Sequence, residues 1–133
     1  MHNEAPIEVT NVIWHPYPKE KPPEEDSYLA TVDNFVIICT YPFWGWEEKN
    51  ITAWAEVPMY DKRRKRNDAI HWHSYPNEKP DNISSYLVSA IYNRSRFTTI
   101  DMWIPNMKVF LKEEDELKII AWAELPEPYK EES

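Results

Sequence analysis

The chain repeats itself, and this constrains its fold more than any other feature. Trp14-His-Pro-Tyr-Pro-Lys-Glu-Lys-Pro22 returns as Trp72-His-Ser-Tyr-Pro-Asn-Glu-Lys-Pro80, identical at seven of nine positions at a constant offset of 58. Ser27-Tyr28-Leu29 returns as Ser85-Tyr86-Leu87 at the same offset. A second anchor, Ala53-Trp54-Ala55-Glu56-Val57-Pro58, matches Ala121-Trp122-Ala123-Glu124-Leu125-Pro126 at an offset of 68, so the second copy carries ten extra residues, expected at Ile104 to Glu116. A repeat of this period means that one supersecondary unit is built twice. The expected organisation is a first module over residues 1–61, a basic linker over 62–67 and a second module over 68–133.

Both modules read as β. Tyr28 to Val32 and Phe35 to Tyr41 are rich in β-branched and aromatic residues and are split by Asp33-Asn34, a two-residue hairpin signal. Ile51 to Glu56 supplies a third strand. The second copy repeats the scheme as Tyr86 to Tyr92, Phe97 to Trp103 and Leu117 to Glu124. The inserted Lys108 to Lys112 reads as a further strand followed by the polar turn Glu113 to Glu116, with a short helix as the alternative. The expected fold is mainly β: two tandem antiparallel meanders packed with pseudo-twofold symmetry.

Size sets the reason for packing them together. Units of about 60 residues bury too little of their surface to be robust alone. Open meanders also present unpaired edges that invite aggregation unless docking of the copies, or homodimerisation, covers them. Seven Trp and eight Tyr supply the buried area that so short a chain otherwise lacks. Trp14 and Trp54 are expected in one core, with Trp72 and Trp122 in the other.

Several classes of function are excluded or disfavoured by composition. One Gly against twelve Pro leaves no glycine-rich phosphate loop. The lone Cys39 lies in the apolar run Phe35 to Thr40, which favours a buried thiol and a reducing compartment, with no disulfide framework. No apolar run is long enough for a membrane span and no signal-peptide pattern opens the chain, so a cytoplasmic, soluble protein is expected. Lys62-Arg-Arg-Lys-Arg66 holds five of the fifteen basic residues, leaving ten against twenty-three acidic ones elsewhere. Nucleic acid is therefore a poor partner for the modules, whereas their carboxylates suit a basic host protein.

Each copy resembles domain of unknown function 551, a short family met mostly in phages, prophages and bacterial genomes. The resemblance rests on the opening Trp14 or Trp72, the Pro eight positions on (Pro22 or Pro80), and the strand beginning Tyr28-Leu29 or Tyr86-Leu87-Val88. It is completed by the closing Trp122-Ala-Glu-Leu-Pro-Glu-Pro128, partial in Trp54-Ala-Glu-Val-Pro58. Lys21 or Lys79 stands where the family has Leu before the first Pro, and the family's Gly before the first strand is missing. The resemblance implies a genomic neighbourhood and brings no reaction, cofactor or catalytic residues with it.

The candidate binding residues are Tyr41, Phe43, Trp44 and Trp46, clustered around Gly45 in a turn between strands, together with Trp103. The second copy is expected to lack an equivalent cluster, offering Trp103-Ile-Pro-Asn-Met107 in its place. Such rings serve as interface anchors, stack on bases, or close the module's own core. His71 and His73, two apart on an extended stretch, would begin a metal site, although copy one has Ile13 where His71 stands, and no metal or cofactor is expected. The duplicated His15/His73, Glu20/Glu78 and Glu56/Glu124 admit an acid–base enzyme or, more simply, residues that cap turns twice over. A third reading is a nucleotide-signal binder with Arg94, Arg96 or the linker meeting phosphate. The leading expectation is a non-catalytic interaction protein of phage or mobile-element origin that binds and inhibits a host bacterial protein.

Overall fold

The computed structural model describes residues 12–42, 45–46, 50–60 and 70–130. The basic run 62–66 lies outside them. Nine strands form two antiparallel sheets among the described residues. In the first, β1 (His15–Pro16), β4 (Ile51–Glu56), β2 (Asp26–Val32) and β3 (Phe35–Tyr41) lie in the order β1-β4-β2-β3. In the second, β5 (His73–Ser74), β9 (Leu117–Glu124), β6 (Ser84–Tyr92), β7 (Ser95–Ile104) and β8 (Val109–Phe110) lie in the order β5-β9-β6-β7-β8. The mainly β expectation holds, and the inserted stretch contributes the short strand β8, but neither unit is a meander: the connection after each hairpin carries β4 or β9 across to the free edge of the hairpin's first strand, β2 or β6, where it also pairs with β1 or β5.

Strand register shows what the duplication preserved. Tyr28 faces Cys39 and Glu56, while Tyr86 faces Asp101 and Glu124. Both central strands carry an irregularity at the same place, between Thr31 and Val32 and between Ser89 and Ala90. The path from Tyr86 around the hairpin to Asp101 is longer than that from Tyr28 to Cys39, and it takes up four of the ten extra residues. The other six fall between Asp101 and Glu124, in β8 and its flanking turns and in the longer β7 and β9. The insertion is thus split, rather than confined to Ile104 to Glu116. Splitting keeps each side chain on its face, because two residues added to each strand preserve the alternation.

Each hairpin turns with local left-handed backbone, at Asp33 (φ 55°) in the first copy and at Asn93 (φ 50°) and Arg94 (φ 67°) in the second. Asp and Asn tolerate that conformation, and two consecutive left-handed residues match the right-handed twist of the strands they join.

Alternation sends successive residues of each central strand to opposite faces, and both faces are covered. One face of each sheet meets the other copy. Leu29, Ala55, Leu87, Ala123 and Ile70 form a buried cluster drawn from both sheets, with Val36, Ile38, Ile100, Leu125, Trp14 and Trp72 packed against it. The copies therefore share a core. Trp14 and Trp72 belong to this shared cluster and not to the module cores expected for them, because they stand just before the short strands β1 and β5, whose pairing turns these indoles toward the partner sheet. The opposite face of the second sheet buries Tyr86, Val88, Ala90, Trp103, Phe110, Ile119 and Trp122 under the loop that carries Tyr75.

The tails that follow β4 and β9 cross between the copies. Tyr129 N donates to Thr31 Oγ1 at 3.0 Å, and Trp14 Nε1 donates to Glu127 O at 3.0 Å. In the other direction, Thr98 Oγ1 donates to Pro58 O at 2.6 Å. This reciprocal exchange is the pseudo-twofold arrangement, and it ties each sheet to the other's closing segment. No helix among the described residues is long and apolar enough to cross a membrane.

Candidate binding site

The repeated signature builds a clasp. In the first copy the indole of Trp54 stacks on His15, with ring centroids 4.3 Å apart, and donates Nε1–H to Glu20 O at 2.8 Å. His15 Nδ1 in turn donates to Glu20 Oε1 at 3.2 Å. The second copy reproduces each contact: His73 on Trp122 at 4.2 Å, Trp122 Nε1 to Glu78 O at 2.8 Å, and His73 Nδ1 to Glu78 Oε2 at 2.8 Å. The turn between His and Glu is closed by Glu20 N to Pro16 O and Glu78 N to Ser74 O, both 2.8 Å, and includes cis peptides at Tyr17–Pro18 and Tyr75–Pro76. The geometry accounts for the motif: His supplies a flat face for the closing Trp, and Glu holds the His. The duplicated pairs His15/His73 and Glu20/Glu78 thus have one structural task per copy, on separate sheets, and Glu56/Glu124 take no part in it. His71 and His73 do lie close, at 4.6 Å between ring centroids, yet no group of three or more His, Cys, Asp or Glu suited to a metal occurs among the described residues.

The predicted aromatic site resolves into two equivalent clusters. Tyr41 pairs with Asp26 and Trp103 with Ser84, which makes Tyr41 and Trp103 counterparts. Around Trp46 stand Tyr41 at 4.8 Å, Tyr17 at 5.0 Å and Tyr28 at 6.5 Å, all edge to face. Around Phe110 stand Trp103 at 5.0 Å, Tyr75 at 5.2 Å and Tyr86 at 6.5 Å, in the same manner. Trp46 therefore fills the place that Phe110 fills in the second copy. The expectation that copy two lacks such a cluster is corrected. Trp103 is not a surface residue either: it is 2% exposed, because the insertion folds over it.

What closes the second cluster is a carboxylate frame made by the buried Asp101 and the half-buried Glu113. Asp101 accepts from Met102 N and Lys112 N, both at 2.8 Å, while Glu113 Oε2 accepts from Tyr75 OH at 2.8 Å and Phe110 N at 3.1 Å. Burial raises the Asp101 carboxyl above its ordinary range, against the lowering effect of its two backbone donors. Burial and then Glu113 raise the Tyr75 phenol likewise. In the first copy Cys39 stands where Asp101 does, half-buried rather than buried as its apolar run suggests, and Tyr17, Tyr41 and Trp46 are half-buried too. Trp46 Nε1 donates to Thr40 O at 3.0 Å, and Gly45, at φ +85°, passes close to the Tyr17 and Tyr41 hydroxyls. Phe43 and Trp44 lie outside the described residues.

A groove not foreseen from the sequence opens where the copies meet, with a volume of about 560 Å³. Its rim carries Glu24, Asp26 and Glu56, and its apolar wall Ile38, Val57, Met59 and Phe97. Tyr28, 5% exposed, donates its hydroxyl to Glu24 O at 2.9 Å at the base. Arg96 also lines the groove, but its Nη1 is turned to Tyr60 O at 3.4 Å. Burial raises the Tyr28 phenol above its usual value, with Glu24, Asp26 and Glu56 each adding to the rise, and all three acidic residues line this one groove. Asp26 Oδ1 accepts from Ser27 N at 2.8 Å, and no cation pairs with any of the three among the described residues. No spacing in the sequence reveals this site, since its walls run from Pro23 to Thr98. Comparison with protein-family models, with curated proteins and with solved structures gave no match for the chain.

Proposed function

We propose that the protein is a non-catalytic interaction module that binds, and thereby inhibits, a host bacterial protein. The observation that carries this reading is the groove between the copies. A concave site of several hundred cubic ångströms with apolar walls and a few converging polar groups is the usual form of a binding site. The clasps add support, because the duplicated His and Glu side chains, the nearest thing to acid–base groups here, are engaged in stacking on and holding Trp54 and Trp122. The resemblance of each copy to domain of unknown function 551 supports a phage or mobile-element origin and action in a bacterial cytoplasm. Three carboxylates at the rim oppose a nucleotide phosphate, which makes the nucleotide-binding alternative the weaker one.

The test is affinity capture from bacterial lysate with the full chain immobilised, followed by binding of the captured protein in purified form. A single host protein retained in stoichiometric amount, and losing activity when the chain is added, is the expected result. Retention of nothing above a blank matrix at physiological salt would refute the proposal.

A further inference from the structure

We infer that the groove between the two copies takes an extended basic segment of a partner protein, seating a Lys or Arg side chain among Glu24, Asp26 and Glu56 and apolar neighbours against Ile38, Val57, Met59 and Phe97. This rests on the reading of the groove as the binding site and goes further by naming what fills it.

Charge complementarity selects the occupant. The rim carboxylates are exposed, pair with no cation among the described residues, and line one groove together with the buried Tyr28. The chain as a whole carries a net charge of −8, so a cationic segment is drawn toward it and an anionic one is repelled. A purely ionic ligand, however, would leave the apolar wall wet. Met59 is 48% exposed, which is a large apolar side chain left in water beside the carboxylates. A segment that alternates basic and apolar residues satisfies both walls at once, and an aliphatic Lys or Arg stem can itself lie on Met59 while its head reaches the rim.

The groove is also held open by the fold. The Pro58–Met59 stretch on one side is fixed by Thr98 Oγ1, which bonds Pro58 O at 2.6 Å and approaches Met59 Sδ at 3.4 Å. The other side is fixed by the Tyr28 hydroxyl bond to Glu24 O. A pre-formed site lowers the ordering cost of binding.

The counterpart corner differs in the features that matter. By strand register and the repeat, Glu24 and Asp26 correspond to Asn82 and Ser84, and Met59 to Glu127, whereas Glu56 and Glu124 match. Ile38 and Val57 correspond to Ile100 and Leu125, so the apolar base is kept in both copies, while the counterpart rim keeps Glu124 and has Asp81 in place of Pro23 but lacks the carboxylates of Glu24 and Asp26 and the exposed thioether of Met59.

The test uses the full chain and three peptides labelled at the N-terminus with fluorescein and read by fluorescence anisotropy: Leu-Lys-Phe-Arg-Leu-amide, the same peptide with Glu for Lys and Arg, and penta-lysine amide. Binding of the first, weaker binding of penta-lysine and none of the acidic peptide is the expected order. Glu24→Lys/Glu56→Lys should weaken the first peptide by at least about tenfold, since two attractive pairs give way to two repulsive ones. Glu24→Gln/Glu56→Gln should weaken it by roughly threefold to tenfold and flatten its salt dependence. Glu116→Lys/Glu127→Lys, away from the groove, should bind as the parent does. Equal binding of basic and acidic peptides, no binding of any, or an unchanged affinity in the Lys double variant with circular dichroism intact would each overturn the inference. If the lysate experiment captures a host protein that the Lys double variant retains equally well, the interaction module stands and the groove assignment falls. If nothing is captured while the peptide order holds, the reverse is true.

Discussion

Truncating Trp122 to alanine tests the claim that the repeated signature exists to bury one indole per copy. The ring is 6% exposed, is stacked by His73 at 4.2 Å, meets Tyr86 edge-on at 5.1 Å, and donates Nε1–H to Glu78 O at 2.8 Å. Loss of so large a buried ring costs about 3–5 kcal/mol, the sum of transfer and cavity contributions. The forfeited hydrogen bond adds little, because Glu78 lies on an exposed turn and its carbonyl can take a water instead. A domain of this size has a total stability of roughly 5–15 kcal/mol, so the variant should lose a large share of it. Urea unfolding followed by far-ultraviolet circular dichroism gives the difference directly. Trp122→Phe separates the contributions: it keeps a ring for His73 and loses the N–H and part of the volume, and should cost about 1–2 kcal/mol. A loss below about 1 kcal/mol for the alanine variant, or equal losses for alanine and phenylalanine, would refute the clasp as a packing device.

The same unfolding assay checks three further expectations. Leu87→Ala, at a fully buried position in the core shared by both sheets, should cost about 2–5 kcal/mol and still give one transition by fluorescence and dichroism; two separate transitions would mean independent modules. Trp103→Ala should cost about 3–5 kcal/mol, but Trp46→Ala, at the half-buried counterpart of Phe110, only about 1–2 kcal/mol; equal losses would contradict the open and closed forms of the two clusters. Asp101 titrates above its ordinary 3.8 because of burial, so the stability linked to its protonated form is present below pH 3.8 and lost as pH rises through the raised value. Asp101→Asn should be less stable overall, having given up one of two acceptors, and its stability should fall less than the parent's across that window; parallel pH profiles would refute the assignment.

The long strands are legible because alternation of β-branched and aromatic residues leaves little choice over Phe35–Tyr41, Ile51–Glu56 and Leu117–Glu124. The strands β1 and β5 are not, since two residues, one of them a proline in β1, show no periodicity. Sequence alone therefore puts Trp14 and Trp72 in the wrong core: the face a ring takes there is set by pairing His15 with Trp54 and His73 with Trp122, partners from the far end of each module. The partnership of Tyr41 with Trp103 is hidden for another reason. An offset of 58 relates the copies before the hairpin and a larger one after it, so alignment at a fixed offset misses the pair. The groove is illegible in principle. Glu24, Glu56 and Arg96 converge only once both sheets have docked, and no local pattern encodes that meeting.

Joining two copies in one chain has a consequence that pairing two identical chains would not. In a homodimer every rim residue appears twice, so a change that makes one corner acidic and apolar makes the other so as well. Here the residues that build the fold stayed alike: the clasps, the shared leucines, and the Ile38/Ile100 and Val57/Leu125 pairs. At the groove rim Glu56 and Glu124 match, but Glu24 stands against Asn82, Asp26 against Ser84 and Met59 against Glu127. The second cluster has a carboxylate frame, in Asp101 and Glu113, that seals its rings, while the first has Cys39 and half-buried Tyr17 and Tyr41. The division is physical in origin. Extra burial in one half stabilises the whole through the common core, which leaves the other half free to keep Met59 and the groove carboxylates at the surface, where a basic segment of the kind proposed would meet them.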